Sequence, residues 1–364
     1  MYKLQPTEKI TGTQLGLLLF TFIVSTVIIT IPSMTVMFAK QDAWISVFPA
    51  ALSGLLSIWV MTALGNRYPG LTIIQYSPKI IGKWLGGLLG IYYIYYWFVF
   101  IMTTTMLHAN FINALLLPKS PSIVANLTLF IICSLAVFTG IEVIARCNEF
   151  ITLLILFFII PLLILITKEG DINQLKPILG GGILPVLQGA IGPAGGFMNQ
   201  LFILGWLLPY LNKPKKARTV SLIALFGISI LIFFIVLLTI MILGPLAGNL
   251  TYPFLSVIQY VGIEGSFERL EAIAVSMWVT GIFVKISVTL FILCISISQL
   301  MGIRNYRDFI PPIALLSIIG SVFIHKNEME LHNFIVFTFP ILAFLNQNLI
   351  PMLLLLIDTI KRRF

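Results

Sequence analysis

Apolar positions in this chain gather into ten long runs separated by short polar segments. A helix that crosses a hydrocarbon core needs about 20 mostly apolar residues. The pattern therefore predicts spanning helices over 12–39, 43–64, 84–117, 122–139, 146–167, 185–207, 217–243, 272–301, 310–325 and 333–360. Membrane β-strands would instead alternate over about ten residues, and no such alternation is present. The first run is too long for a secretory leader and has no small-residue cleavage site. No soluble domain fits between the runs, so the expectation is one all-α integral membrane domain.

Two runs are interrupted. In the sixth, Gly189, Gly192, Pro193, Gly195 and Gly196 crowd the middle. Proline removes a backbone donor and glycine lowers the cost of non-helical angles, so a helix break is expected there. In the first, Pro32 follows Ser25, Thr26 and Thr30, whose hydroxyls compete for backbone groups. No glycine lies near that break, and its signal is weaker. The alternative for both is a mere kink, since Pro and Gly are common in membrane helices. Broken helices one and six of ten predict a 5+5 inverted repeat, about 12–167 and 185–360, with a site near the midplane.

Composition supports the membrane assignment: 59% of residues are hydrophobic and 10% are charged, against about a quarter charged in soluble domains. The net charge of +9 resolves into topology once it is sorted by loop. With the N-terminus inside, fifteen basic residues, from Lys3 to Arg363, fall on the cytoplasmic side. Six fall outside: Lys40, Lys119, Lys168, Lys176, Arg269 and Lys326. The positive-inside rule then puts both termini in the cytoplasm. Cys133, Cys147 and Cys294 form no metal or disulfide framework, and Cys133 and Cys294 lie in apolar runs.

One basic residue remains, Lys285, about 13 residues into the eighth run and roughly 20 Å deep. An ammonium at that depth costs several kcal/mol unless it is paired or hydrated, so it should face the bundle interior. No carboxylate shares the membrane core with it. Backbone carbonyls and hydroxyls of the first helix are its expected partners. In sodium-coupled transporters of this architecture a cation sits between helices one and eight, and Lys285 is expected to take that place, either charged throughout or switching by protonation. The plainer alternative is a structural lysine that snorkels toward an interface.

In the third run Tyr92, Tyr95, Tyr96 and Phe100 share a face by helical spacing. Tyr96 is deep enough to line a pocket, whereas Tyr92 and Tyr93 also fit an interfacial belt. Asn199 and Gln200 follow the glycine-rich break and can donate to a carboxylate or hydroxyl; interhelical hydrogen bonding is their alternative role. His325 and His332 bracket Glu328 and Glu330, where a solvated loop is favoured over a metal site. His108 has no visible acid partner. Nothing forms a nucleophile–base pair, zinc signature or phosphate loop, so neither an enzyme nor a cofactor is expected.

Three motifs carry a family resemblance. They are Tyr68-Pro69 followed by Ile81-Gly82-Lys83-Trp84-Leu85-Gly86, the run Asp171-Ile172-Asn173-Gln174-Leu175-Lys176-Pro177-Ile178-Leu179-Gly180, and Glu268-Arg269-Leu270-Glu271 with Trp278 and Lys285 downstream. With them the chain resembles the B subunits of spore germinant receptors, a branch of the amino acid–polyamine–organocation superfamily. The resemblance spans essentially the whole chain. It implies a ten-helix transporter fold in the inner spore membrane that senses a small nutrient (amino acid, sugar or similar) beside an A-type membrane subunit and a C-type lipoprotein. It implies ligand positions at Thr26, Tyr96, Phe100, Gln200, Lys285 and Thr289, to which the residue reading adds Asn199. Relatives often carry glycines in the first-helix break, where this chain has Ser25-Thr26-Val27-Ile28-Ile29-Thr30. A proton- or cation-coupled amino-acid permease and a ligand-free scaffold subunit are the alternative functions.

Overall fold

The computed structural model describes residues 8–116, 119–264 and 270–363, with the side chains of 262–264 excepted. Lys3, Glu268 and Arg269, used in the charge and motif readings, lie outside the described residues. Among the described residues ten helices are long and apolar enough to cross a membrane: Gly12–Asp42, Val47–Arg67, Lys83–Leu115, Ser122–Thr139, Ile141–Glu169, Ile183–Tyr210, Pro214–Asn249, Leu270–Met301, Tyr306–Phe323 and Glu328–Lys361. They are called the first to tenth spans below. The fifth and tenth begin five residues before their apolar runs, because charged residues near their starts (Glu142, Arg146 and Glu149; Glu328 and Glu330) lower the local hydropathy.

The span ends have local causes. Thr11 caps the first span through a reciprocal box: Gln14 N–H donates to Thr11 Oγ1 at 3.1 Å and Thr11 N–H to Gln14 Oε1 at 2.8 Å. Gly140, at φ +107°, separates the fourth span from the fifth. A Cβ there would stand 2.4 Å from the Glu8 carboxylate, which accepts from Ile141 N–H at 2.8 Å and so caps the fifth span. Glu8 also pairs with Arg307 at 3.3 Å. On the same face Asp358 binds Arg67 at 2.8 Å and Arg362 at 2.9 Å, and accepts the Tyr68 hydroxyl at 2.5 Å. Burial, with the neighbouring Asp358 carboxylate adding to it, raises the Tyr68 phenol above its ordinary pKa and keeps it a donor. These ties define the terminal face of the bundle, where both ends of the described chain lie.

An inverted repeat is visible in which spans touch. The first packs on the seventh as the sixth packs on the second; the first on the fifth as the sixth on the tenth; the eighth on the fourth as the third on the ninth. Exchanging spans one to five for six to ten maps each pair onto its partner. Five crossings are an odd number, so the second half enters from the opposite face and the repeat is inverted.

The two expected breaks behave differently. The sixth span leaves α-helical geometry after Gly196: Phe197 adopts φ −132°, ψ −56°, and Met198–Ile203 winds as a 3₁₀ turn before the α-helix resumes. Gly192 and Pro193 lie inside the helix before this point, which places the break at the end of the glycine-rich stretch and not at its centre. The first span does not break. It is one α-helix over Gly12–Ala39 that carries Pro32 within it. Thr30, Ser33 and Thr35 return their hydroxyls to the carbonyls of Thr26, Thr30 and Ile31 at 2.9–3.0 Å, and no glycine offers a cheap alternative backbone. The expectation of a broken first helix is corrected accordingly.

Gly195 lets the sixth span meet the tenth, since a Cβ there would stand 2.2 Å from the carbonyl oxygen of Pro340. That oxygen is main chain and cannot rotate away. Gly195→Ala should therefore lower stability by about 1–3 kcal/mol, whereas Gly87→Ala, which meets nothing within 4 Å, should leave it unchanged or raise it. Thermal unfolding of the two purified variants, measured side by side, checks this contrast.

Candidate functional site

Lys285 lies midway along the eighth span and is 1% exposed. Its ammonium donates to Phe22 O at 2.9 Å, Thr26 Oγ1 at 2.8 Å and Gln200 Oε1 at 2.9 Å. An ammonium has three N–H donors, so each finds an acceptor. The rings of Phe22 and Phe100 stand 4.8 and 5.4 Å away and present their electron-rich faces. Among the described residues all the hydrogen-bond partners of this cation are neutral oxygens, two on the first span and one in the opened turn of the sixth.

Each partner is positioned by local sequence. Gly281, one turn before Lys285, brings the eighth span against the first: a Cβ there would approach the Ser25 Cβ to 2.9 Å. Phe22 and Thr26 are four residues apart and so present carbonyl and hydroxyl on one helical face. Gln200 sits in the 3₁₀ turn, where its amide nitrogen donates to Gly196 O and turns its oxygen toward Lys285. The break in the sixth span thus supplies an acceptor that a regular helix would aim elsewhere.

A cavity of about 40 Å³ opens beside the ammonium, lined by Thr26, Thr30, Phe100, Thr103, Thr104, Leu107, Gly196, Phe197, Gln200, Lys285, Ile335 and Phe339. That is room for roughly two or three waters, far below the ~300–1,000 Å³ of ordinary ligand pockets; the site is closed in this conformation. A second cavity, of about 50 Å³, shares Thr30, Leu107 and Ile335 with the first and continues to Tyr252, Glu328 and His332 on the face opposite the termini. Leu107 and Ile335 form the partition between the two. Ile335 sits in a π-helical turn, Phe334–Thr338, a local widening often found at functional sites.

Of the residues singled out from sequence, Thr26, Phe100, Gln200, Lys285 and Gly196 converge on this cavity. Thr289, Asn199 and Tyr96 are buried but do not line it. Thr289 returns its hydroxyl to Lys285 O at 2.8 Å. Asn199 Oδ1 accepts from Asn348 at 2.7 Å. Tyr96 OH accepts from the Gln347 amide. The aromatic face is also corrected: Tyr92 and Tyr95 are exposed, while Tyr93, Tyr96, Trp97 and Phe100 point inward. Tyr93 is fully buried against Phe202 and Trp206 and is no belt residue. His108 is buried, its ring stacked on Trp278 at 5.4 Å. His325 is buried against Phe334, and Glu330 accepts from Lys326 N–H at 2.7 Å. Among the described residues no group of three or more His, Cys, Asp or Glu could hold a metal ion.

The sequence reading missed a buried polar layer next to the site. Asn346, Gln347 and Asn348 lie in a second π-helical turn, Leu345–Leu349, and all are 1% exposed or less. Asn348 joins Asn199 of the sixth span to Ser57 of the second, and Gln347 reaches Tyr96 of the third. With Gln200 adjacent to Asn199, hydrogen bonds run from Lys285 across four further spans. Three consecutive amides inside an apolar run were the available signal.

Comparison with known proteins places this geometry. The family described as spore germination protein matches residues 9–329. The chain is 25% identical over 366 residues to spore germination protein YndE of Bacillus subtilis, covering 98% of each chain. It is 27% identical to spore germination protein KB of the same organism, over 89% of this chain and 88% of that one. Among solved structures it superposes on Mhp1, a nucleobase-cation-symport-1 family transporter, with a TM-score of 0.70 at 14% identity, covering 93% of this chain and 76% of that one. A Na⁺-coupled sialic acid symporter gives 0.66 at 13% identity, covering 94% and 80%. The fold is that of these transporters.

Removing one acceptor tests the geometry. Thr26→Val keeps the shape and leaves one ammonium proton unpaired, which should destabilise the protein by about 1–3 kcal/mol; Thr26→Ser should recover most of that. Chemical denaturation in detergent, compared across the three proteins, reads the difference.

Proposed function

Since the chain belongs to the spore germination protein family, we propose that it is the nutrient-sensing B subunit of a germinant receptor, with the cavity beside Lys285 as its ligand site. The single observation that carries this reading is the buried ammonium, shared by the first, sixth and eighth spans at the wall of the cavity. The ligand, an amino acid, sugar or similar small nutrient, enters from the face opposite the termini, past Leu107 and Ile335. It displaces the Lys285 contacts that now close the site, using Thr26, Gln200, Phe100 and Lys285, while Asn199, Tyr96 and Thr289 hold those residues in place. A ligand shifts the conformational equilibrium only by its difference in affinity for the two states. The Asn199–Asn348–Ser57 layer, which joins the sixth, tenth and second spans, is the part of the bundle that carries the shift onward.

In this reading both termini are cytoplasmic, which the excess of basic residues in the loops on that side supports, and the protein sits in the inner spore membrane. Its partners are an A-type membrane subunit and a C-type lipoprotein. It binds its ligand without altering it chemically. Lys285 serves as a built-in cation between spans one and eight, the place that an exchangeable ion takes in sodium-coupled proteins of this architecture.

A second reading is favoured by the fold alone: cation-coupled transport, the activity named for the solved relatives. Uptake of labelled amino acid by the purified chain in liposomes would support the permease, and its absence with retained binding supports the receptor. For the receptor, a panel of amino acids and sugars is screened for thermal stabilisation of the purified subunit. The active compound should raise stability by about 2.7 kcal/mol at a hundredfold excess over its Kd. Lys285→Met and Gln200→Leu should abolish that rise and the germination response of spores carrying them. A response unchanged in both variants would remove the cavity from the function.

A further inference from the structure

A cavity far larger than the one beside Lys285 lies elsewhere in the bundle. A groove of about 670 Å³ runs between the first, fifth and seventh spans, lined by Gly16, Phe20, Thr152, Leu163, Ala224 and Gly227 among others. Its lining on the seventh span runs from Val220 to Leu238, a stretch whose two ends are about 27 Å apart along the helix. That is close to the full thickness of a bilayer's hydrocarbon core. The groove opens sideways: Ile160 and Ile164 of the fifth span, and Ile223 and Phe234 of the seventh, are both lining and exposed. Gly227 contributes no side chain to its floor, and a Cβ there would make an ordinary contact with the Phe20 ring at 3.8 Å.

The two ends of the groove differ in charge. At the terminal face, Lys216 lies one turn before Val220 on the lining stripe, and Lys213, Lys215 and Arg218 flank it. All four are exposed, and none takes part in an ion pair among the described residues. At the other end Lys168 is followed by Glu169, which offsets it. Glu149 of the fifth span, one turn before the lining residue Thr152, is an acid at the terminal-face end and accepts from the Gln14 amide at 3.3 Å. Four cations against that one acid leave the mouth basic, and an apolar trough with a basic mouth matches an amphiphile that has a negative head and an apolar chain. Basic pockets between membrane helices on the cytoplasmic side bind anionic headgroups in this way. A membrane helix of another protein would fill the trough but would give the basic mouth no partner.

We propose that this groove is a binding site for an anionic phospholipid of the cytoplasmic leaflet, its acyl chain lying along Gly16, Ala224 and Gly227 and its phosphate held by Lys216 with Lys213, Lys215 and Arg218. None of these residues lines the cavity beside Lys285, so the proposal stands or falls apart from the nutrient site.

The test reconstitutes the full chain in bilayers of equal parts phosphatidylglycerol and phosphatidylcholine, then measures the lipid retained after extraction into mild detergent. The wild type should retain phosphatidylglycerol over phosphatidylcholine by about fivefold for each cation engaged. The quadruple variant Lys213→Gln, Lys215→Gln, Lys216→Gln, Arg218→Gln should retain both lipids equally. Gly227→Leu, which fills the trough and leaves the charges in place, should lower total retention, with folding monitored by circular dichroism. Equal retention of the two lipids by the wild type would overturn the proposal. So would enrichment that survives both variants, or a cysteine placed by Ile223→Cys that crosslinks to polypeptide and not to lipid.

Discussion

An ammonium carried midway along a membrane helix must be surrounded by oxygen dipoles, because stripping its hydration costs several kcal/mol. Lys285 imposes that requirement on three helices at once. Its three protons go to two groups of the first span and one of the sixth. The first span must therefore approach closely, which Gly281 allows, and the sixth must open, which the end of its glycine run allows. Drawing away any of the three would strand a buried cation with an unmade hydrogen bond. The constraint acts as a tether that needs no counter-ion from solution, and the small cavity is the space left beside it.

The inverted repeat makes this tether easier to see. Its counterpart is the contact between the third and sixth spans, where Tyr93, Trp97, Phe202 and Trp206 interlock as rings 4.9 to 6.0 Å apart. The two halves are thus joined at one of these equivalent contacts by apolar packing and at the other by hydrogen bonds to a buried lysine. Between them runs the amide layer of the tenth span, held in a π-helical turn. Three consecutive residues of an α-helix spread over about 200° of its circumference. Burying all three is eased by the wider turn: Gln347 and Asn348 reach the third, second and sixth spans, while the Asn346 amide turns back to Leu342 O of its own helix.

Much of this was legible in the chain itself. The ten spans follow from hydropathy because lipid demands long apolar helices, and Lys285 was conspicuous as the basic residue within a run. Its partners could be named by class because no carboxylate was available at that depth. Other features depended on which way a helix faces. Helical spacing admits both the set Tyr92, Tyr95, Tyr96 and Phe100 and the set Tyr93, Tyr96, Trp97 and Phe100, and only packing chooses the second. The first span shows the limit of reading proline alone: Pro32 removes one donor, but hydroxyls that return to nearby carbonyls and the lack of glycine keep the helix whole. The amides of the tenth span stand in an apolar run, but the π-helical turn in which all three are buried leaves no mark in the spacing of the residues.

The central claim, that the Lys285 ammonium and not a dissolved cation sets the distance between the first and eighth spans, is open to one direct measurement. Spin labels at positions 37 and 276, on the exposed sides of the two spans, report that distance by pulsed electron resonance in a variant without the native cysteines. The account predicts a narrow distribution that is identical in sodium and in choline buffers, and a broadened one in Lys285→Met. A distribution that narrows only when sodium is added, or one left unchanged by Lys285→Met, would contradict it.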